Sequence, residues 1–183
     1  MGVDKSLVVF GGRTMLQRSI DTLARAGCAP VLVLHRRPED LDSVGVAVRR
    51  DLGGGEGPLD GLVSALAIAE SPVVVTLPVD LPLIEADDIR RLVVELEGDE
   101  RHASELDVVA LADDSDSRQH LAAAWRRDRC LEALRRSFDA GERSVHRAIS
   151  ELAVAWVRVP AVRLLNVNTR DDLASGGGST TSL

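Results

Sequence analysis

A single carboxylate, Asp80, stands between two prolines at the end of an apolar run, in the stretch SPVVVTLPVDLP over residues 71–82. Val73–Leu77 carries no charge and predicts a strand buried on both faces, as in a parallel sheet. Pro78 and Pro82 fix φ and withhold backbone donors, so the strand has to end there. In open α/β sheets ligands sit outside the carboxyl ends of the strands. An acid at that place can hold a divalent cation against phosphates. The same acid would serve equally well as the cap of a turn.

A second constellation is RRDLGGGEGPLDGL, residues 49–62. Gly53, Gly54, Gly55 and Gly57 precede Pro58 and a helix predicted over Leu59–Glu70. The first turn of a helix leaves N–H donors free and carries the positive end of the dipole, which suits anions and polar ligand edges. A glycine cluster alone also describes a flexible loop. The specific part is Asp51, then the glycines, then GPLDG against a helix. Lys5 offers a phosphate or base contact, or a solvated charge. Asp113, Asp114 and Asp116 are dense enough to suggest a metal tract, although such runs are more often solvated turns. The four histidines, His35, His102, His120 and His146, share no ligand spacing, and each is expected to be a surface or structural residue. No Ser–His–Asp or Cys–His arrangement can be argued. Phosphate and metal chemistry remains.

These residues need a scaffold, and 183 residues suffice for one domain with its own core. Aromatic residues make up 2% of the chain and tyrosine is absent, which disfavours base stacking on aromatic platforms. A formal net charge of −7 argues against nucleic-acid and anionic membrane surfaces. Cys28 and Cys130 are far apart, as idle thiols in a reducing compartment would be. No run is long and apolar enough to span a bilayer, and the expected location is the cytoplasm.

In chain order, an apolar run at Leu7–Phe10 ends at Gly11-Gly12. Thr14 with Gln17 forms a capping box for a helix that Gly27 ends. A buried strand follows Pro30, a helix-like stretch covers Glu39–Val44, and a strand lies near Val46–Arg49. Beyond Asp80, acids open a helix over Glu85–Glu97. GDERHASE is a polar loop, Asp107–Leu111 a strand, and ADDSDSRQH a loop leading into Leu121–Trp125. Helices over 128–139 and Ser144–Leu152, a strand over Val154–Val159 and a helix capped by Thr169 complete the order. The domain is expected over 1–173, with a disordered, low-complexity tail over 174–183.

The segments MGVDKSLVVFGGRTMLQR, GPLDG, LPVDLP, AGERSV and NVNTRDDL, in this order from Met1 to about Leu173, resemble the molybdenum cofactor guanylyltransferases. The resemblance implies an α/β fold of three layers with a mostly parallel, Rossmann-like sheet. It implies transfer of GMP from GTP to molybdopterin or its metal-loaded form, with Mg²⁺ and with pyrophosphate as product. Carried over residue by residue, Lys5 lies near the nucleotide and Asp51 reads the guanine edge. Gly57, Pro58, Leu59 and Gly61 form the base-binding turn, and Asp80 is the magnesium ligand. Asn166 and Asn168 match the NxNT signature on the pterin side or near the metal. A monomer is expected, with transient contacts to other proteins of cofactor biosynthesis.

The chain departs from the pattern in three places. Asp60 replaces the small residue usual within GPLxG, and SDSRQH followed by Leu121 replaces a DGR-type loop and its proline. The family also opens with a strand and a loop LAGGxSxRMG, whereas this chain starts at the methionine of that motif. The expectation is a slot in the sheet, a reading frame that starts upstream, and weak GTP binding by the chain as written. Two other readings stand beside this one. The first is a related nucleotidyltransferase with another base or acceptor, such as a cytidylyltransferase. The second is an inactive homologue acting only as a binding partner.

Overall fold

The computed structural model describes residues 5–41, 44–52, 54, 56–99, 102–103 and 105–167. After a 3₁₀ turn at Lys5–Leu7, a short hairpin pairs β1 (Val9–Phe10) with β2 (Arg13–Thr14). Helix α1 (Met15–Ala26) follows. Thr14 Oγ1 accepts from Gln17 N–H and Gln17 Oε1 accepts from Thr14 N–H, so the capping box forms in full. Gly27 closes the helix at φ 93°, a left-handed conformation that favours glycine. Strands β3 (Leu32–His35) and β4 (Ala47–Arg50) pair in parallel. Between them, the described part of the helix-like stretch holds a 3₁₀ turn at Pro38–Asp40, which Pro38 opens.

Helix α2 (Pro58–Ile68), strand β5 (Val73–Thr76) and helix α3 (Ala86–Glu97) come next. The polar loop after α3 contains a small ribbon, β6 (Gly98–Asp99) with β7 (His102–Ala103). Then follow β8 (Val108–Asp113), β9 (Arg118–Arg126), α4 (Arg127–Asp139), α5 (Val145–Ala148) and β10 (Val154–Val159). The main sheet has the order β10-β8-β9-β5. Strands β5, β8 and β10 run in one direction and β9 runs against them. The β3–β4 pair is a separate ladder among the described residues.

The sheet is the middle of three layers. On one face Val108, Ala110, Ala123 and Trp125 pack against α2, α4 and α5 through Leu59, Leu62, Leu66, Leu134 and Val145. On the other, Val109, Leu111, Ala122 and Ala124 pack against Ile89, Leu92 and Leu96 of α3, with α1 alongside. Alternate residues serve alternate faces, as the period of a strand requires. Strand β8 is buried along its whole length. Strand β5 departs from expectation, being half-buried throughout, because among the described residues it forms the edge of the main sheet and only β9 is hydrogen-bonded to it.

One polar contact in this core fixes the position of β5. The indole of Trp125 is 0% exposed, and its Nε1–H donates to Thr76 Oγ1 at 2.8 Å. The Thr76 hydroxyl donates in turn to the Leu121 carbonyl at 2.6 Å. A hydroxyl can accept and donate at once, so the donor inside the core is satisfied. Thr76→Val removes the acceptor and leaves the indole N–H unpaired, at a cost of about 1–3 kcal/mol. A urea titration should show a lower midpoint with an unchanged slope, and an unchanged midpoint would contradict this account of the core.

Candidate active site

Asp80 emerges four residues beyond Thr76, in a turn at the carboxyl end of β5. Leu81 is buried behind it and anchors the turn in the core on the α3 side. The Asp80 carbonyl accepts a hydrogen bond from Val167 N–H at 2.9 Å. Val167 is itself buried against Phe10 and Met15. These two contacts draw the segment around residue 166 to the end of β5, and Asn166 is exposed there. The Asp80 carboxylate is half-buried and makes no hydrogen bond or ion pair among the described residues.

Asp51 follows β4, and its N–H donates to the His35 carbonyl at 3.2 Å, which joins the ends of β3 and β4. A Cβ placed on Gly61 would stand 3.8 Å from Asp51 Oδ2. The carboxylate therefore lies against the first turn of α2, and a side chain longer than a methyl at 61 would reach over it. Leu59 is buried in the core, which holds this end of α2 to the sheet. Pro58 opens the helix, and Gly57 precedes it at φ 109°.

The structure thus brings Asp51 to Gly61, and Asp80 to the segment containing Asn166. Lys5 begins a 3₁₀ turn, and its side chain lies outside the described residues, as do Gly53, Gly55, Asn168 and Thr169. Among the described residues no three His, Cys, Asp or Glu groups cluster as a metal cage. That composition fits a cation held by one carboxylate and by substrate phosphates, which is how Mg²⁺ is commonly bound. The oxygen of Asp80, with no protein partner among the described residues, is the donor that fits.

The acidic loop has another role. Asp113 Oδ1 accepts from Ser115 N–H, Ser115 Oγ–H and Ser117 N–H. These bonds, the Ser115 hydroxyl first, hold its carboxyl below the usual range. Asp116 pairs with Arg158 and Arg118. Asp113 and Asp116 are thus engaged by the turn and the strands beside it. Cys130 is buried, and burial pushes its thiol up to about 12, so it is inert.

Two features were not legible in the sequence. His120 has a buried Nε2 with no hydrogen-bond partner among the described residues, and its ring meets the edges or faces of His146 and Trp156 at centroid distances of 5.2 and 5.3 Å. Burial, then His146 and Arg118, lower its pKa. The second feature is the turn after α4, whose Arg143 reaches the glycine-rich loop and forms an ion pair with Glu56. The AGERSV motif pointed to this turn, but nothing in its spacing indicated Glu56.

The MobA-like NTP transferase domain model matches residues 1–155. The molybdenum cofactor guanylyltransferase of Methylibium petroleiphilum is 31% identical over 177 residues, covering 94% of this chain and 86% of its own. The probable molybdenum cofactor guanylyltransferase of Opitutus terrae is 32% identical over 155 residues, with 83% and 72% covered. Among solved structures, the molybdopterin-guanine dinucleotide biosynthesis protein A of Archaeoglobus fulgidus superposes with a TM-score of 0.71 at 21% identity, covering 96% of this chain and 89% of that one. The 2-C-methyl-D-erythritol 4-phosphate cytidylyltransferase of Thermus thermophilus gives 0.69 at 18% identity, covering 96% and 97%. At these identities the solved structures speak to the Rossmann-like fold alone. No helix among the described residues is long and apolar enough to cross a membrane.

The turn after α4 carries a pH signature. The Arg147 guanidinium, with the N–H groups of Ser144 and Arg143, holds the Glu142 carboxyl down to about 2. A carboxyl depressed in the folded state stabilises the turn above its unfolded value, and that contribution is lost as pH falls through about 2. Carbon-13 NMR titration should give a Glu142 midpoint near 2. Arg147→Ala should move that midpoint toward the ordinary value of about 4.3. A midpoint already at the ordinary value in the unmutated chain would contradict the geometry.

Proposed function

The chain belongs to the MobA-like NTP transferase family, and from that premise we propose that this nucleotidyltransferase moves GMP from GTP to the terminal phosphate of molybdopterin or its metal-loaded form. The acceptor phosphate oxygen attacks the α-phosphorus of GTP. A new P–O bond forms, the bond to the β-phosphate oxygen breaks, and pyrophosphate leaves. The nucleophile is already ionised at neutral pH, so no side chain has to act as general base. Catalysis is then mostly positioning and charge neutralisation.

In this reading Asp51 takes the base. Guanine presents N1–H and N2–H₂ on one edge, and a carboxylate can accept from both, whereas cytosine lacks that donor pair. Gly57, Pro58, Leu59 and Gly61 shape the turn against which the base lies. Asp80 would hold Mg²⁺, which supplies positive charge beside the phosphates when bound. Lys5 adds a second positive charge there. Asn166 and Asn168 serve the acceptor side. The observation that carries the base assignment is the Asp51 carboxylate lying against Gly61 at the start of α2.

Turnover with GTP and with CTP, using molybdopterin and Mg²⁺, tests the assignment. GTP should be preferred, and Asp51→Ala should shrink the preference by the equivalent of about 1–3 kcal/mol, the cost of an unpaired buried polar edge. Equal use of CTP by the unmutated chain would contradict it. Asp80→Asn should lower the rate roughly 100-fold or more, as loss of a preorganised electrostatic group does. Near-normal turnover with Mg²⁺ would remove Asp80 from the metal site.

A further inference from the structure

We propose that Asp60, Glu56 and Arg143 form an intramolecular latch that holds the turn at Glu56 and Gly57 in its nucleotide-accepting shape, which makes all three positioning residues. The proposal rests on the guanylyl-transfer reading above. It begins with Asp60, an acid in the first turn of α2 that is only 4% exposed. Its Oδ2 turns back and accepts from Glu56 N–H at 3.1 Å, which pins the loop one residue before Gly57. The acid also sits at the positive end of the helix dipole, where its charge is favourable.

The same residue, Glu56, is held from the other side. Its carboxylate pairs with the Arg143 guanidinium, across 87 positions of sequence. With side chains 41% and 55% exposed, such a pair adds little to stability. Its use is geometric. Arg143 is already oriented before it meets Glu56. Its guanidinium lies 4.1 Å from the centroid of Phe138. Its Nη1 donates to the carbonyls of Phe138 and Glu142 at 2.9 and 2.8 Å. The backbone joins in, since a Cβ on Gly57 would stand 3.8 Å from the Arg143 carbonyl oxygen. Both the side chain and the main chain of the turn therefore lie against the loop.

The turn at Glu56 and Gly57 contains a glycine, the residue type that loses the most conformational freedom on ordering. If nucleotide binding had to order it, affinity would fall accordingly. A loop ordered beforehand spares the ligand that cost. Asp60 fixes the backbone and Arg143 fixes the side chain of the same residue, Glu56, at the entrance to the turn that takes the base.

The test uses the full chain with GTP, molybdopterin as acceptor and Mg²⁺, and compares Asp60→Ala, Asp60→Asn, Glu56→Arg, Arg143→Glu and the double exchange of Glu56→Arg with Arg143→Glu. Asp60→Ala and each single charge reversal should raise KM for GTP about tenfold, equivalent to one charge-assisted hydrogen bond, while kcat changes much less. Asp60→Asn keeps an oxygen acceptor and should recover most of the loss, and so should the double exchange. Hydrogen exchange without nucleotide gives a reading independent of catalysis: the Glu56 amide should exchange faster in Asp60→Ala than in the unmutated chain. Unchanged KM and unchanged Glu56 exchange would overturn the latch. A lowered melting temperature with unchanged KM would also overturn it, leaving a purely structural role. Preference of the unmutated chain for CTP over GTP, with Glu56 exchange still dependent on Asp60, would overturn the guanylyl reading and with it the positioning role, while leaving the contact itself in place.

Discussion

The Trp125 indole N–H has one acceptor in the core, the Thr76 hydroxyl, and the register of β5 on the main sheet depends on that bond. Strand β5 is four residues long and is hydrogen-bonded only to β9 in the described sheet. A ladder so short leaves register weakly specified unless side chains fix it. A slip of one residue would exchange the faces of Val73, Val74 and Val75. It would also separate Thr76 from the indole, leaving a polar group unpaired where the chain is fully buried. The strand therefore has one comfortable position, and the place where Asp80 leaves the sheet follows from it.

The division of labour among the acids follows from the same scaffold. Asp113 is occupied by serine donors of its own turn, and Asp116 by Arg118 of β9 and Arg158 of β10. The Asp60 carboxylate is engaged with the Glu56 N–H, and the Glu56 carboxylate with Arg143. Asp80, at the end of β5, has no such partner among the described residues. In the proposed reading its oxygens are the ones offered to a cation. The buried Val167 adds to this arrangement by spending its backbone donor on the Asp80 carbonyl, so that the Asn166 segment stays beside the carboxylate.

Much of the scaffold was legible because its signals are local. Thr14, Gln17 and Gly27 delimit α1 by capping chemistry alone. Glu85, Asp87 and Asp88 announce α3, with Glu85 as its N-cap. Less was legible where the outcome depends on distant neighbours. The run Val73–Leu77 looks fully buried in sequence, but its burial is set by the number of flanking strands, which periodicity does not reveal. The first half of β9 was hidden because Arg118, Gln119 and His120 look like the end of an acidic loop, and only pairing with β8 makes them strand. The ribbon of β6 and β7 carries no apolar alternation and escaped for that reason. At the site, Asp51 and Asp80 were legible from motif order. The engagement of Asp60 and Arg143 with Glu56 was not, because an ion pair across such a separation leaves no spacing to read.

Paramagnetic broadening of backbone amides by Mn²⁺ with GTP addresses the central claim, that the metal–nucleotide complex sits at the carboxyl end of β5. Mn²⁺ takes the same oxygen donors as Mg²⁺. The account predicts that the amides of Asp80, Leu81 and Val167 broaden at the lowest Mn²⁺–GTP concentrations while those of Ser115 and Ser117 stay sharp. Broadening centred on Ser115 and Ser117, with Asp80 and Val167 unaffected, would place the metal in the acidic turn and contradict the account.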